Sequence, residues 1–591
     1  MQERSGELKW VDRARLDARI AFVSASFLVA YGFAALLDRV GAPERFVGAA
    51  PPWFTIVALT ALGFLLHSMR VSDYYTAGRA VPAAYAGFAN AAVIIALALP
   101  FATRLAGGSW GPGVVGGLFI GVALAAFAIG PLLRKTGAFS ICELLVARFP
   151  APIPRYGLIA AAALSSGLLA AAGGLIAVDA LVGLTGAGRV FAAFVIGAAS
   201  LIIAGPGGLA GAIWAAAAAG GVALLGFGWP LAALSLHGEL PVSLLGGDQG
   251  WRAAGALLSD WGVLPAPMNL FAEIGAAAAV ALGVATLAPA LSPAVTTADA
   301  SAARRSGYAA FAWTLIFAAL VAAAVAAAAL KFSAATVGQA PERLPASVYA
   351  ASGRGFVAIC GEAVRDPAQA RRACTAKGLP PGARLRPGDA HPRSGDYLLG
   401  ALPASADLGA AASGLLASAL IALGLALSVM GLQACAAAVG HDALYRLRGE
   451  VDLTSRRLAL TRLALVAASA FGYVASVTHA VSAATLVSLA IALSAAGVAP
   501  AITLAFWPRA GEREAMLALA GGALGLIAVL LIGGAGRIEI VALAGLAGAT
   551  LGLAAGVGAG LANGQEQPAA EIFVRRALRG DGQVLTPDKG A

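Results

Sequence analysis

Residues 82–104 read PAAYAGFANAAVIIALALPFATR, and residues 268–292 read MNLFAEIGAAAAVALGVATLAPALS. Each is long and apolar enough for a helix crossing about 30 Å of hydrocarbon, which takes ~20 residues. Each also carries residues that disturb a helix: Gly87, Asn90 and Pro100 in the first, Gly283 and Pro289 in the second, with Pro293 at its end. Four further apolar runs separate the two stretches, so they stand five spans apart. Two broken helices at matching places in two five-helix halves mark inverted-repeat secondary transporters, because a break frees backbone carbonyls that can hold an ion. Gly and Pro are also common in ordinary membrane helices.

Working outward, fourteen apolar runs are predicted to span the membrane. They lie near 20–38, 52–69, 82–104, 112–133, 156–182, 189–205, 208–236, 268–292, 308–331, 408–436, 459–479, 482–506, 514–535 and 538–562, numbered here as spans one to fourteen. Spans six and seven are separated only by Gly205-Pro-Gly-Gly208. The 591 residues are 60% hydrophobic and 12% charged, with mean hydropathy +0.83. Such a composition excludes a water-soluble globule, a disordered chain and a disulfide-dense scaffold. The domain reading is a tail at 1–19, two peripheral helices in 20–69, a first repeat at 82–236 and a second at 268–506 with an outer loop at 332–407. Two further helices follow in 514–562, then a basic tail at 563–591.

The net charge of +10 reads as topology and not as nucleic-acid binding, since the Arg residues sit between apolar runs. With the N-terminus inside, inner segments hold 24 Lys and Arg, including Arg70, Arg79, Arg134, Arg304, Arg446 and Arg509, against 6 in the short outer segments. Both termini are therefore expected in the cytoplasm, in a bacterial cytoplasmic membrane, with the lipid bilayer as the chain's first partner. Cys360 and Cys374 share the outer loop, on the oxidising side, and are predicted to form a disulfide. Cys142 and Cys435 read as small packing residues.

Polar residues within spans are few. Asn90, Asp179, Trp214, Glu273, Thr286, Ser428, Gln433, Ser488 and Ser494 are the main ones. Asn90, Thr286 and Gln433 are the candidates for a substrate pathway. Asp179 and Glu273 lie toward outer ends, and His441-Asp442 at a wet inner boundary. There is no nucleophile elbow, phosphate loop or metal-ligand cluster, so an enzyme is not expected and no cofactor is implied.

Several segments resemble solute:sodium symporters. Asp73-Tyr-Tyr-Thr-Ala-Gly-Arg79 with Gly87-Phe-Ala-Asn-Ala-Ala92 resembles the entry to that family's first core helix. Leu133-Arg-Lys-Thr-Gly137 with Glu143 to Phe149 resembles its second-helix exit, and Thr297 to Ser306 its segment after the sixth helix. His441-Asp442 with Leu444-Tyr445-Arg446 resembles its Ser-His-Asp-Leu-Tyr segment. Ser494-Ala-Ala-Gly497, Pro500 and Phe506-Trp507 resemble its tenth helix. The likeness runs from about residue 50 to 560, and is strongest to the acetate-permease-like branch, in a long subfamily with an extra N-terminal helix, a Cys-containing outer loop and a basic tail. It implies an all-α, leucine-transporter-type five-plus-five fold with core spans three to twelve, and sodium-driven uptake of a small organic solute such as a monocarboxylate.

The resemblance puts sodium-site equivalents at the carbonyls of Ala92, Ile95 and Leu423, with two hydroxyls from the eighth core helix. The hydroxyl pair aligns with Ala426 and Leu427, and only a shift of one or two residues brings Ser428 near. The branch's Ala-Ala-Asp-Trp-Met-Ser-Ala-Ala-Ser is replaced by Ala91-Ala-Val-Ile-Ile-Ala-Leu-Ala-Leu99. Sodium, like other hard cations, wants several oxygens, and removing a desolvated polar ligand costs on the order of 2–3 kcal/mol. Weak or absent sodium coupling is therefore expected. The competing reading is a non-transporting membrane sensor or scaffold, working through a separate regulatory protein at the cytoplasmic side, where Arg575–Arg579 also suits a membrane-surface anchor.

Overall fold

The protein, in a computed structural model, is described over residues 7–107, 113–243, 249–264, 269–380, 382–393, 395–445, 454–534, 538–564 and 566–579. The expected topological marker Arg446 lies outside these. Twelve helices are long and apolar enough to cross a membrane. One of them, Arg189–Leu236, has 48 residues, about 72 Å at 1.5 Å per residue and twice the hydrocarbon thickness. Gly208 breaks it with φ 55° and ψ −142°, so it crosses twice, as spans six and seven. Leu270–Thr286 and Ala288–Val295, bent by 41°, make span eight. Eleven single helices, two limbs and the bent pair give fourteen crossings among the described residues, in the expected order.

Boundaries move where polar first turns belong to the helix. Span nine runs Ala300–Thr336, against the expected 308–331. Its start is set by Asp299, whose carboxylate caps the helix by accepting the Ala302 N–H at 2.7 Å. The Ser301 hydroxyl and that N–H hold the Asp299 carboxyl below its usual range. Arg304 and Arg305 follow on the exposed first turns, which a search for apolar residues discards.

Packing follows membrane rules. Lipid is as apolar as leucine, so helices associate through close approach of small residues and not through water release. Spans five (Pro152–Thr185) and ten (Ala410–Ala436) form the central antiparallel seam. Span three (Ala83–Ala106) is wedged against spans seven, nine and ten, and its residues Ala91 to Leu99 are all buried. Spans thirteen (Glu512–Gly533) and fourteen (Ile538–Asn563) pair outside the core.

The segment 337–409 is a small folded cap. It has short helices Ala346–Gly353, Pro367–Ala376 and Gly395–Ser405, and an antiparallel pair of strands, Val357–Ile359 with Ala390–Pro392. Cys360 and Cys374 are joined by a disulfide, in which Cys142 and Cys435 take no part. The cap closes the loop face of the bundle. Arg354 donates to the Gly183 carbonyl at the end of span five, and Gly395 lies so close to Thr103 of span three that a Cβ there would come within 2.4 Å of its methyl. Alkylation of denatured protein is expected to label two cysteines without reductant and four with it. Equal labelling would show that the bridge does not form.

Candidate functional site

Two of the core spans that carry candidate residues are interrupted, and of the candidates Thr286 adjoins an interruption. Span three is α-helical from Ala83 to Ala98 and tightens into a 3₁₀ turn at Leu99–Phe101, where Pro100 has no N–H to continue the ladder. Span eight breaks at Leu287, whose φ −63° and ψ 124° are extended, just before Pro289. Both breaks fall at prolines named in the sequence, Pro100 and Pro289, and away from Gly87 and Gly283. Gly87 and Gly283 instead admit neighbouring backbone: a Cβ on Gly87 would stand 2.4 Å from the Ser306 carbonyl oxygen, and one on Gly283 2.3 Å from that of Ile491.

Ala92 and Ile95 lie inside the intact helix, and the Ile95 carbonyl accepts the Leu99 N–H. Leu423 lies in the unbroken helix of span ten, fully buried. Ser428 takes the Ser200 hydroxyl of span six at 3.3 Å. The structure thus brings Ser428 to span six, and among the described residues no hydrogen bond joins its hydroxyl to span three. Thr286, at the broken end of span eight, shares a hydrogen bond of 2.9 Å with Ser494, which opens a π-helical turn, Ser494–Val498, in span twelve. Gln433 donates from Nε2 to the Tyr74 carbonyl at 3.4 Å. The Asn90 Oδ1 and Gln433 Oε1 oxygens are buried without a hydrogen-bond partner among the described residues. Buried polar atoms are nearly always paired, so these two amides are interior groups with bonding capacity to spare.

The charged residues lie toward the two faces. At the loop face Arg104 reaches Glu539 of span fourteen. Asp179 accepts from Arg189 at 2.7 Å and lies 3.4 Å from His479. At the opposite face His441 and Asp442 correct the expectation of a wet boundary, since they are only 4% and 1% exposed. The His441 Nδ1 lies 2.9 Å from Asp442 Oδ1, and Nε2 meets the Arg457 guanidinium. A guanidinium only donates, so Nε2 accepts and the ring proton sits on Nδ1, directed at Asp442. Arg457 also stacks over Tyr75 at 5.2 Å and Phe139 at 5.3 Å, and the Tyr75 hydroxyl bonds Thr461 at 2.6 Å. The short helix Val71–Thr76, which leads into span three, is thereby fastened to spans ten and eleven. Sequence reading missed Arg457, Tyr75 and Thr461, because nothing local shows that residues 386 positions apart will meet.

Cavities follow the same division. One of about 710 Å³ opens under the cap between Glu44, Phe332, Tyr397 and Asp407. One of about 490 Å³ lies at the opposite face between Arg148, Glu512, Gln567 and Phe573. In the interior, a pocket of about 20 Å³ beside Leu97, Phe101, Leu118, Val280 and Ile491 is wholly apolar. Another of about 20 Å³, between spans five, six, ten and eleven, is lined by four serines.

No protein-family model matches the chain. Over 125 residues the chain is 32% identical to an uncharacterized symporter of Cupriavidus necator. That match covers 20% of this chain, and the chain spans only 18% of the length of that relative. Among solved structures, a Na+-coupled sialic acid symporter in a substrate-bound outward-open state aligns with TM-score 0.61 over 89% of this chain and 99% of that one, at 16% identity. A nucleobase-cation-symport-1 family transporter in a closed conformation aligns over 88% of this chain and 100% of that one, at 14% identity and TM-score 0.42. The alignment with the sialic acid symporter and the fourteen crossings give the leucine-transporter type of fold, an all-α membrane bundle built on a five-plus-five inverted repeat with extra helices.

Proposed function

We propose that the protein is a secondary active transporter that takes up a small organic solute by alternating access, with weakened or lost sodium coupling at the position its resemblance implies. The observation that carries this reading is the pair of interruptions, at Leu99–Phe101 in span three and at Leu287 in span eight. They stand five spans apart, where an inverted-repeat transporter needs discontinuous helices. An interruption inside the membrane costs hydrogen bonds, which a purely structural bundle has no reason to give up twice at equivalent places. The unpaired Asn90 and Gln433 oxygens supply polar contacts for a small solute. The intact helix across Ala92 and Ile95, and the turning of Ser428 toward span six, support weak sodium binding between the first and eighth core helices. The family branch, a monocarboxylate substrate, a bacterial cytoplasmic membrane and cytoplasmic termini belong to this same proposal.

The second reading, a non-transporting sensor or scaffold with a separate partner at the cytoplasmic side, is favoured by one observation: apolar side chains of spans three and ten pack the interior between them. Purified protein in liposomes separates the two. Radiolabelled acetate and other short monocarboxylates are expected to accumulate under an imposed proton or sodium gradient, with at most a few-fold dependence on sodium. No accumulation under either gradient would sink the transporter reading, and strict, saturable sodium dependence would sink the weakened coupling.

A further inference from the structure

Four serines line one small cavity between spans five, six, ten and eleven: Ser200 of span six, Ser428 of span ten, and Ser469 and Ser476 of span eleven. All are at least nine-tenths buried, with exposures of 1%, 5%, 7% and 2%. A serine inside a membrane helix ordinarily returns its proton to the carbonyl four residues back. Ser418 and Ser488 do so here, in the same spans or next to them. The four cavity serines do not: among the described residues, the one hydrogen bond made by their hydroxyls joins Ser200 to Ser428. Leaving hydroxyls unpaired in hydrocarbon is costly, so their shared orientation points to something held among them.

The cavity is kept open by missing side chains. A Cβ added to Gly174 of span five would lie 3.6 Å from Ser476 Oγ and 3.9 Å from Ser428 Oγ, so both hydroxyls reach a point that an alanine methyl would occupy. Gly197 and Gly472 line the same space. The volume, about 20 Å³, admits one particle of water size and no organic solute. The four lining spans are two repeat-related pairs, five with ten and six with eleven. The interface between inverted repeats is where coupling ions of such folds are held. At the loop-face end, Arg189 donates both to the Ser476 carbonyl, at 3.2 Å, and to Asp179, so a carboxylate stands one to two turns beyond Gly174 on the same helix.

We infer that this cavity is a binding site for one sodium-sized monovalent cation, coordinated by the hydroxyl oxygens of Ser200, Ser428, Ser469 and Ser476. Each hydroxyl offers lone pairs to a cation, and oxygen is the ligand a hard cation prefers. All ligands are neutral, so binding is weak. The site would move the ion from the first and eighth core helices to the third, fourth, eighth and ninth. Its role as a coupling site rests on the transporter reading, but its occupancy does not.

The test is equilibrium binding of 22Na+ to the purified full chain in nanodiscs, with choline replacing sodium. Saturable binding is expected, displaced by unlabelled NaCl and not by choline chloride. Gly174→Ala should weaken it by about tenfold or more, equivalent to about 1.4 kcal/mol, without lowering the melting temperature measured in choline. Ser476→Ala removes atoms where Gly174→Ala adds them, and should weaken binding in the same direction. Wild-type protein with no saturable sodium binding would mean that the cavity holds only water and would overturn the site, as would either variant binding like wild type. Liposomes that accumulate no solute while 22Na+ binding persists would instead overturn the transporter reading and leave the site standing.

Discussion

Arg457→Ala is expected to loosen the face opposite the cap and to cost the fold several kcal/mol. Arg457 meets the buried His441–Asp442 pair and lies over the rings of Tyr75 and Phe139. Removing one member of a buried charged network costs ~3–5 kcal/mol, because the charge left behind has no compensation. Two stacked cation–ring pairs add ~0.5–2 kcal/mol each when desolvated. The effect should be local first. The helix Val71–Thr76 is held by Tyr75 and by the Gln433 bond to the Tyr74 carbonyl, and it leads directly into span three. Hydrogen exchange at residues 74–76 should rise by at least tenfold, and the melting temperature should fall by several degrees. Arg457→Lys keeps the charge without the planar guanidinium that stacks on both rings, and should recover only part of either. Exchange at 74–76 equal to wild type in Arg457→Ala would show that this cluster does not hold the segment.

That cluster also marks the limit of what the residues disclosed. The fourteen crossings were legible because a bilayer forces about twenty apolar residues wherever a helix passes, and the chain obeys this even where spans six and seven run on with only Gly208 between them. The broken helices were legible as a pair, at the prolines and not at the glycines named with them. In a membrane, Gly87 and Gly283 serve close approach of backbones, whereas the missing N–H of Pro100 and Pro289 ends a ladder. His441-Asp442 read as a wet boundary because burial there depends on Arg457 from the next span and Phe139 from far upstream. The serine cavity was the least legible. Ser469 and Ser476 look like any hydroxyls in an apolar run until the absence of their back-bonds is seen in three dimensions. Their spacing of seven, with Gly472 between, was the one available signal that they share a helix face.

Gly424→Val is expected to abolish the folded protein, and the neighbouring glycines show why. A Cβ on Gly424 would stand 2.7 Å from both the Ala177 nitrogen and the Gly173 carbonyl oxygen, and one on Gly173 would stand 2.4 Å from the Ser428 nitrogen. These are backbone atoms, so no rotamer change relieves the collision and the helices must part. Overpacking in a core where side chains can adjust costs ~1–3 kcal/mol. Here it is imposed on the seam between spans five and ten, around which the other core spans are arranged, so the penalty should exceed that range. The monodisperse peak in size-exclusion chromatography should vanish for Gly424→Val and shrink for Gly424→Ala. Gly221→Ala, with nothing within 4 Å of its added Cβ, should match wild type or gain slightly from alanine's helix propensity of ~1 kcal/mol over glycine. One residue from Gly173, Gly174 meets hydroxyls at ordinary van der Waals distance and no backbone. Gly173 therefore lets spans five and ten touch, and Gly174 keeps a polar space beside that seam. Valine at 424 or 173 should destroy the protein, and Gly174→Ala should leave it folded with its cavity filled. Gly174→Ala collapsing as Gly424→Val does would show that the space is part of the seam and not a site.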